Sequence, residues 1–144
     1  TDVRLNGPAL DALEPVSGLV SMTRFLRLPN NSNLSFAYIE GESLLKSFDS
    51  IALSSSSACT SANLEVSYVL KALGLPAELI HASIRFGLGR FNTTAEIDTV
   101  ADEVVRVVNG LRARSTLYQI AMSGAGEFRL ARLPGQSSAD PCKK

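Results

Sequence analysis

Cys59 is the residue of this chain whose surroundings best suit covalent chemistry. It stands in the run SSSSACTSANLE from Ser54 to Glu65, where small and mostly hydroxylated residues surround one thiol. A lone cysteine is usually a small buried hydrophobe, but flanks of Ser57, Ala58, Thr60 and Ser61 are not a core pattern. Residues of this kind bury too little surface to pin a loop, so the run reads as exposed and mobile. A nucleophilic thiol needs access and a stabilised thiolate. The loop offers the first, and its hydroxyls offer only weak hydrogen bonds to sulfur. No base is adjacent, so activation has to come from elsewhere.

The second chemically loaded position is Arg85, between Ile84 and Phe86 in the run HASIRFGLGR from His81 to Arg90, which reads as a strand. Strand alternation turns an arginine there away from both apolar neighbours. A solvated or salt-bridged surface arginine is the plain reading. A planar guanidinium can instead grip a carboxylate with two parallel hydrogen bonds, which lysine cannot match. His81, the lone histidine, reads as structural. Cys142 lies in a polar tail beside Lys143 and Lys144, whose charges favour a thiolate. Two cysteines with one histidine do not make an ordinary zinc site, and their settings do not suggest a disulfide framework. A working thiol suits a reducing compartment.

The elements that must position these residues follow from local pattern. The chain has 144 residues and 14 charges of each sign, one ordinary domain with no electrostatic footprint for nucleic acid or anionic membrane. It begins TDVRLNG without a signal pattern and reads as entered partway. Pro8–Leu28 is expected to be loop with some helix; its charges rule out a membrane span. Pro29–Ser32 has turn chemistry. Asn33–Ile39 alternates Leu34, Phe36 and Tyr38 against Ser35 and Ala37, a strand with an inner face. A short helix over Ser43–Phe48 and a strand at Ile51–Leu53 suggest a βαβ unit.

Beyond the cysteine run, Leu64, Tyr68 and Leu73 share a helical face, and Gly74 stops the helix. Pro76 suits the first turn of another helix. Thr93 and Glu96 form a capping box for a long helix from about Thr94 to Leu111, whose stripe Ile97, Val100, Ala101, Val104, Val108, Leu111 should face the core. Gly110 should weaken its last turn. A final helix is expected over Ser115–Met122, then a Gly/Pro/Ser-rich tail.

In four stretches this sequence resembles the cysteine desulfurases of iron–sulfur cluster biogenesis, which are class V aminotransferase-type, pyridoxal-phosphate enzymes. They are Asn33–Leu45, Ser54–Gly74, His81–Phe91 and, more loosely, Leu111–Met122, in the right order. The family usually has glycine at Asn30, a residue type for which asparagine is the next best at positive φ. It also has glycine at Ser56 and proline at Val66, and its segment corresponding to Pro8–Leu28 is shorter.

The resemblance implies an α/β fold, the small carboxy-terminal α/β sandwich domain of the aspartate-aminotransferase-like (type I pyridoxal-phosphate) fold. It divides the chain into an amino-terminal stub and insertion at 1–28, the desulfurase small domain at 29–123 and a flexible tail at 124–144. It makes Cys59 the thiol that takes sulfur from L-cysteine, leaving L-alanine and a persulfide, and lets Cys59 touch a nascent iron–sulfur cluster transiently. It puts Arg85 on the substrate carboxylate. It further implies an iron–sulfur scaffold protein as partner, a homodimer in the complete enzyme, no nucleic acid or membrane partner, and a location that is mitochondrial in eukaryotes and cytoplasmic in bacteria. The cofactor lysine of the family's Ser-x-His-Lys setting matches none of Lys46, Lys71, Lys143 and Lys144, so pyridoxal phosphate and turnover are expected to need a large domain beyond these residues. Two other readings stay open: a standalone persulfide carrier, and an inactive scaffold- or dimer-interaction module.

Overall fold

The structure is a computed structural model that describes residues 2–9, 11–15, 23–55 and 67–123. Its strands are β1 (Val3–Leu5), β2 (Leu13–Pro15), β3 (Thr23–Phe25), β4 (Asn31–Phe36), β5 (Ser54–Ser55) and β6 (Ser83–Gly87). Its helices are α1 (Gly41–Lys46), α2 (Tyr68–Ala72), α3 (Ala77–His81), α4 (Thr94–Arg114) and α5 (Thr116–Met122). The central sheet has the order β1-β4-β6-β5, and every neighbouring pair is antiparallel. Because β4 and β5 both oppose β6, they run parallel to each other with β6 between them. The expected βαβ unit is therefore split, with β4, α1 and β5 straddling the later strand.

One face of the sheet carries the main core. Phe36, Leu44, Ile84, Val107 and Val108 are buried together, with Leu34, Leu53, Phe86, Val104 and Leu111 packed around them. Burying a side chain of that size contributes about 1.5–3 kcal/mol. A second cluster joins Ala37 at the end of β4 to Leu70 of α2, Leu75, and Leu79 and Ile80 of α3. The helices have clear starts. The Glu40 carboxylate accepts from the backbone amides of Glu42 and Ser43 at 2.9 and 2.6 Å. Those bonds, with the Ser43 hydroxyl first, hold its pKa below the ordinary carboxylate value. Thr93 and Glu96 close the expected capping box at the head of α4, and the bond from the Thr93 amide lowers the Glu96 pKa.

Several expectations are corrected. Pro8–Leu28 carries a two-stranded antiparallel sheet, β2 with β3, and no helix among its described residues. The strand expected at Ile51–Leu53 begins three residues later, at Ser54, where its backbone meets β6; Leu53 instead packs on the core. Asn30 does not take a positive φ; among the described non-glycine residues Tyr38 does, at 65°, in the turn that ends β4. In α2 the buried residue is Leu70, whereas Tyr68 and Leu73 are exposed; Leu64 lies outside the described residues. Gly74 stops α2 as expected, at φ 77°. His81 ends α3 and is exposed, so β6 is shorter than the expected strand. In α4, Ile97 and Ala101 of the expected stripe are exposed and Val107 is buried, because only the second half of the helix crosses the sheet core. Gly110 lies within that helix, which continues to Arg114. The expected tail at 124–144 lies outside the described residues.

Candidate functional site

Alternation along β6 puts Ile84 into the core and Arg85 on the opposite face, exposed. The register identifies its neighbours on that face. Asn33 of β4 is directly opposite Arg85 on one side, and Ser54 of β5 is directly opposite on the other. The next row along the same face is Arg4, Ser35 and Ser83, paired through β1, β4 and β6.

These two rows differ in what covers them. Ser35 and Ser83 are fully buried, and their hydroxyls lie 2.6 Å apart. Ser83 also donates to the Leu79 carbonyl of α3 at 2.6 Å, so α3 lies over this row. A buried hydroxyl without a partner costs about 1–3 kcal/mol, and this pairing avoids that. The second row, Asn33, Arg85 and Ser54, is left half-buried or exposed. Among the described residues no carboxylate pairs with Arg85, and ion pairs form elsewhere, as Lys46 with Glu42 and Arg106 with Glu103. An unpaired guanidinium flanked by an amide and a hydroxyl is equipped to take an incoming carboxylate.

Cys59 and Cys142 both lie outside the described residues. What the structure does place is the root of the cysteine run. The chain leaves the sheet at Ser55, one residue past the partner of Arg85, and is described again at Ser67, whose hydroxyl caps α2. Cys59 is four residues after Ser55, so covalent reach limits their Cα separation to about 14 Å. The root of the cysteine run, on the edge strand β5, thus lies beside Arg85 on the neighbouring strand β6.

Other features are separate from this edge. A cleft of about 360 Å³ lined by Tyr38, Glu40, Ser43, Leu111, Arg114 and Ser115 lies beyond the far end of β4. Arg112 donates to the Asp2 and Ala37 carbonyls and stacks on the Tyr118 ring, fastening α4 to the amino-terminal strand. Among the described residues no cluster of His, Cys, Asp and Glu could hold a metal ion, and no helix is long and apolar enough to cross a membrane. Sequence reasoning gave no role to Asn6, Asn33, Ser35 or Ser83. Their spacing along β4 and β6 was visible, but the pairing of the strands was not.

No protein-family model matches the chain. Among curated proteins, it is 55% identical over 105 residues to "Cysteine desulfurase IscS" of Pseudomonas entomophila, a match covering 73% of this chain and 26% of that protein. It is 54% identical over 98 residues to the protein of that name from Anaeromyxobacter, covering 68% and 24%. It is 55% identical over 92 residues to "Cysteine desulfurase, mitochondrial" of Drosophila melanogaster, covering 64% and 20%. The chain spans about a quarter of the length of the curated relatives it matches. The resemblance read from the residues is borne out: the matched stretch corresponds to the carboxy-terminal part of a cysteine desulfurase.

Proposed function

From this homology we propose that the chain is the sulfur-accepting, carboxy-terminal part of a pyridoxal-phosphate-dependent cysteine desulfurase, with the small-domain architecture of the aspartate-aminotransferase-like fold. The single observation that carries the proposal is the 54–55% identity to cysteine desulfurases across some 100 residues. The open, unpaired Arg85 adds to it. In this reading Arg85 holds the carboxylate of L-cysteine. Cys59, as thiolate, attacks the substrate sulfur: the carbon–sulfur bond breaks, a sulfur–sulfur bond forms, and carbon takes up a proton. L-cysteine and the Cys59 thiol become L-alanine and a Cys59 persulfide, the sulfurs being oxidised as the carbon is reduced. The persulfide then passes to an iron–sulfur scaffold protein, where Cys59 also contacts the growing cluster.

The described residues do not fit the cofactor. Lys46 sits on α1, which packs on the other face of the sheet, and is paired with Glu42. Lys71 is an exposed residue of α2. The cofactor lysine is therefore assigned to another part of the complete protein, and the steps given to this chain are those of Arg85 and Cys59. That protein is proposed to be a homodimer, without nucleic-acid or membrane partners, mitochondrial in a eukaryote and cytoplasmic in a bacterium.

The test is peptide mass spectrometry after incubating the chain with a desulfurase large domain, pyridoxal phosphate and L-cysteine. A one-sulfur mass gain on the Cys59 peptide is expected, lost in Cys59→Ser. The same gain confined to the Cys142 peptide and persisting in Cys59→Ser would overturn the assignment. Sulfur on Cys59 from a persulfide donor without cofactor would favour the standalone carrier. Scaffold binding with no sulfur on either thiol would favour the interaction module.

A further inference from the structure

Beside Arg85 a run of buried hydrogen bonds has its direction determined from one end. The Leu79 carbonyl can only accept, so the single proton of Ser83 Oγ goes to it. Ser83 Oγ must then accept from Ser35 Oγ, 2.6 Å away. Ser35, its proton spent, must accept from Asn6, and the Asn6 atom at 2.7 Å is therefore the Nδ2 amide. The other proton of that amide reaches Asn33 at 2.6 Å, so the Asn33 atom facing it is Oδ1. Asn6, Ser35 and Ser83 are each more than nine-tenths buried, which shields the chain from competing water. Without this directionality the two ends of the Asn33 carboxamide would be interchangeable.

The topology gives the orientation its consequence. Asn6 follows β1, on one side of β4, and Arg85 lies on β6, on the other side. With Oδ1 bonded on the β1 side, the Asn33 Nδ2 amide is left on the side away from Asn6, and Arg85 is the residue opposite Asn33 on the β6 side. Among the described residues that amide makes no hydrogen bond. Resting on the reading of Arg85 as a carboxylate site, we infer that Asn33 Nδ2 is a second donor to the same carboxylate, held donor-forward by the buried line Leu79–Ser83–Ser35–Asn6. Arg85 supplies the charge. Asn33 supplies a fixed neutral donor beside it that selects a planar carboxylate over a spherical anion. Asn6 is a positioning residue, acting only through Asn33.

The test is a side-chain NMR titration of the whole chain with sodium acetate, against sodium chloride at matched ionic strength. The Arg85 Nε–H and Asn33 Nδ2 resonances should shift together, saturably and with one affinity, for acetate and not for chloride. Asn33→Asp keeps the acceptor that Asn6 needs but removes the donor and adds a repelling charge. It should weaken acetate binding about tenfold or more, the scale of a lost hydrogen bond to a charged group. Asn33→Ser, too short to reach, should weaken it similarly should the aspartate variant not fold. Asn6→Ala should weaken it less and make the two Asn33 amide protons exchange faster. If Arg85 responds while Asn33 does not, and both Asn33 variants bind within about twofold of wild type, the inference is overturned and the Arg85 reading stands. If Arg85 fails to respond, both fall.

Discussion

Two glycines in helices should respond to the same substitution with opposite signs. Gly41 opens α1 against the backbone that leads into β6. A Cβ built there would lie 2.6 Å from the His81 carbonyl carbon and 3.3 Å from the Ala82 nitrogen, with the His81 oxygen closer still. Comfortable carbon–carbon contact is about 3.5–4.0 Å, so the elements must separate by about 1 Å. That backbone is not free to yield, because the Ala82 carbonyl accepts from Phe36 at 2.9 Å and the Ala82 amide donates to Glu78 at 3.2 Å. Alanine for glycine inside a helix ordinarily gains about 0.5–1 kcal/mol, but an overpacked core costs about 1–3 kcal/mol. Gly41→Ala should therefore be destabilising by about 1–2 kcal/mol net of that gain, a fall of about 3–7 °C in Tm for a chain of this size. Gly110, within α4, has nothing within 4 Å of a built Cβ, so Gly110→Ala should gain about 0.5–1 kcal/mol. Thermal and urea unfolding followed by circular dichroism would measure both. A Gly41→Ala protein as stable as wild type, beside a Gly110→Ala protein that gains, would refute the close approach of α1 to β6. The same displacement would move Ser83 and Arg85, so acetate binding should weaken along with stability.

In the complete enzyme, Arg85→Lys should raise the Michaelis constant for L-cysteine by about tenfold or more, the loss of a charge-assisted bidentate pair; unchanged steady-state kinetics would return Arg85 to an ordinary surface arginine. Thr93→Ala should cost about 1 kcal/mol by opening the capping box of α4, read from urea unfolding. Glu40 and Glu96 have folded-state pKa values below their unfolded ones, so the stability they contribute is present above the ordinary carboxylate pKa and is lost as pH falls through the lowered values. Glu40→Gln and Glu96→Gln should each flatten the acid side of the stability–pH curve, and an unaltered acid limb would count against both caps.

The sequence by itself determined what is local or chemically conspicuous. The Thr93–Glu96 capping box, the stop at Gly74 and the outward turn of Arg85 between Ile84 and Phe86 depend on neighbours within a few residues, and each is present. The identity of the desulfurase relatives was legible for a related reason, since a matching order of residue types survives without coordinates. Strand pairing was not legible, because hydrogen bonds between β1, β4 and β6 join residues about 30 to 55 positions apart. Hence Val3–Leu5 was missed as a strand, and β6 was not seen to lie between β4 and β5. The burial of α4 was misread for the same cause: a hydrophobic stripe has a period, but only the sheet decides which turns it covers, and it covers Val107 and Val108 rather than Ile97. Ser35 looked like the polar side of a strand, yet α3 closes over it and makes it one of the most buried residues of the chain. Only tertiary structure could turn four unremarkable polar residues into one directed line, because a hydrogen bond acquires its direction from the partner at its far end.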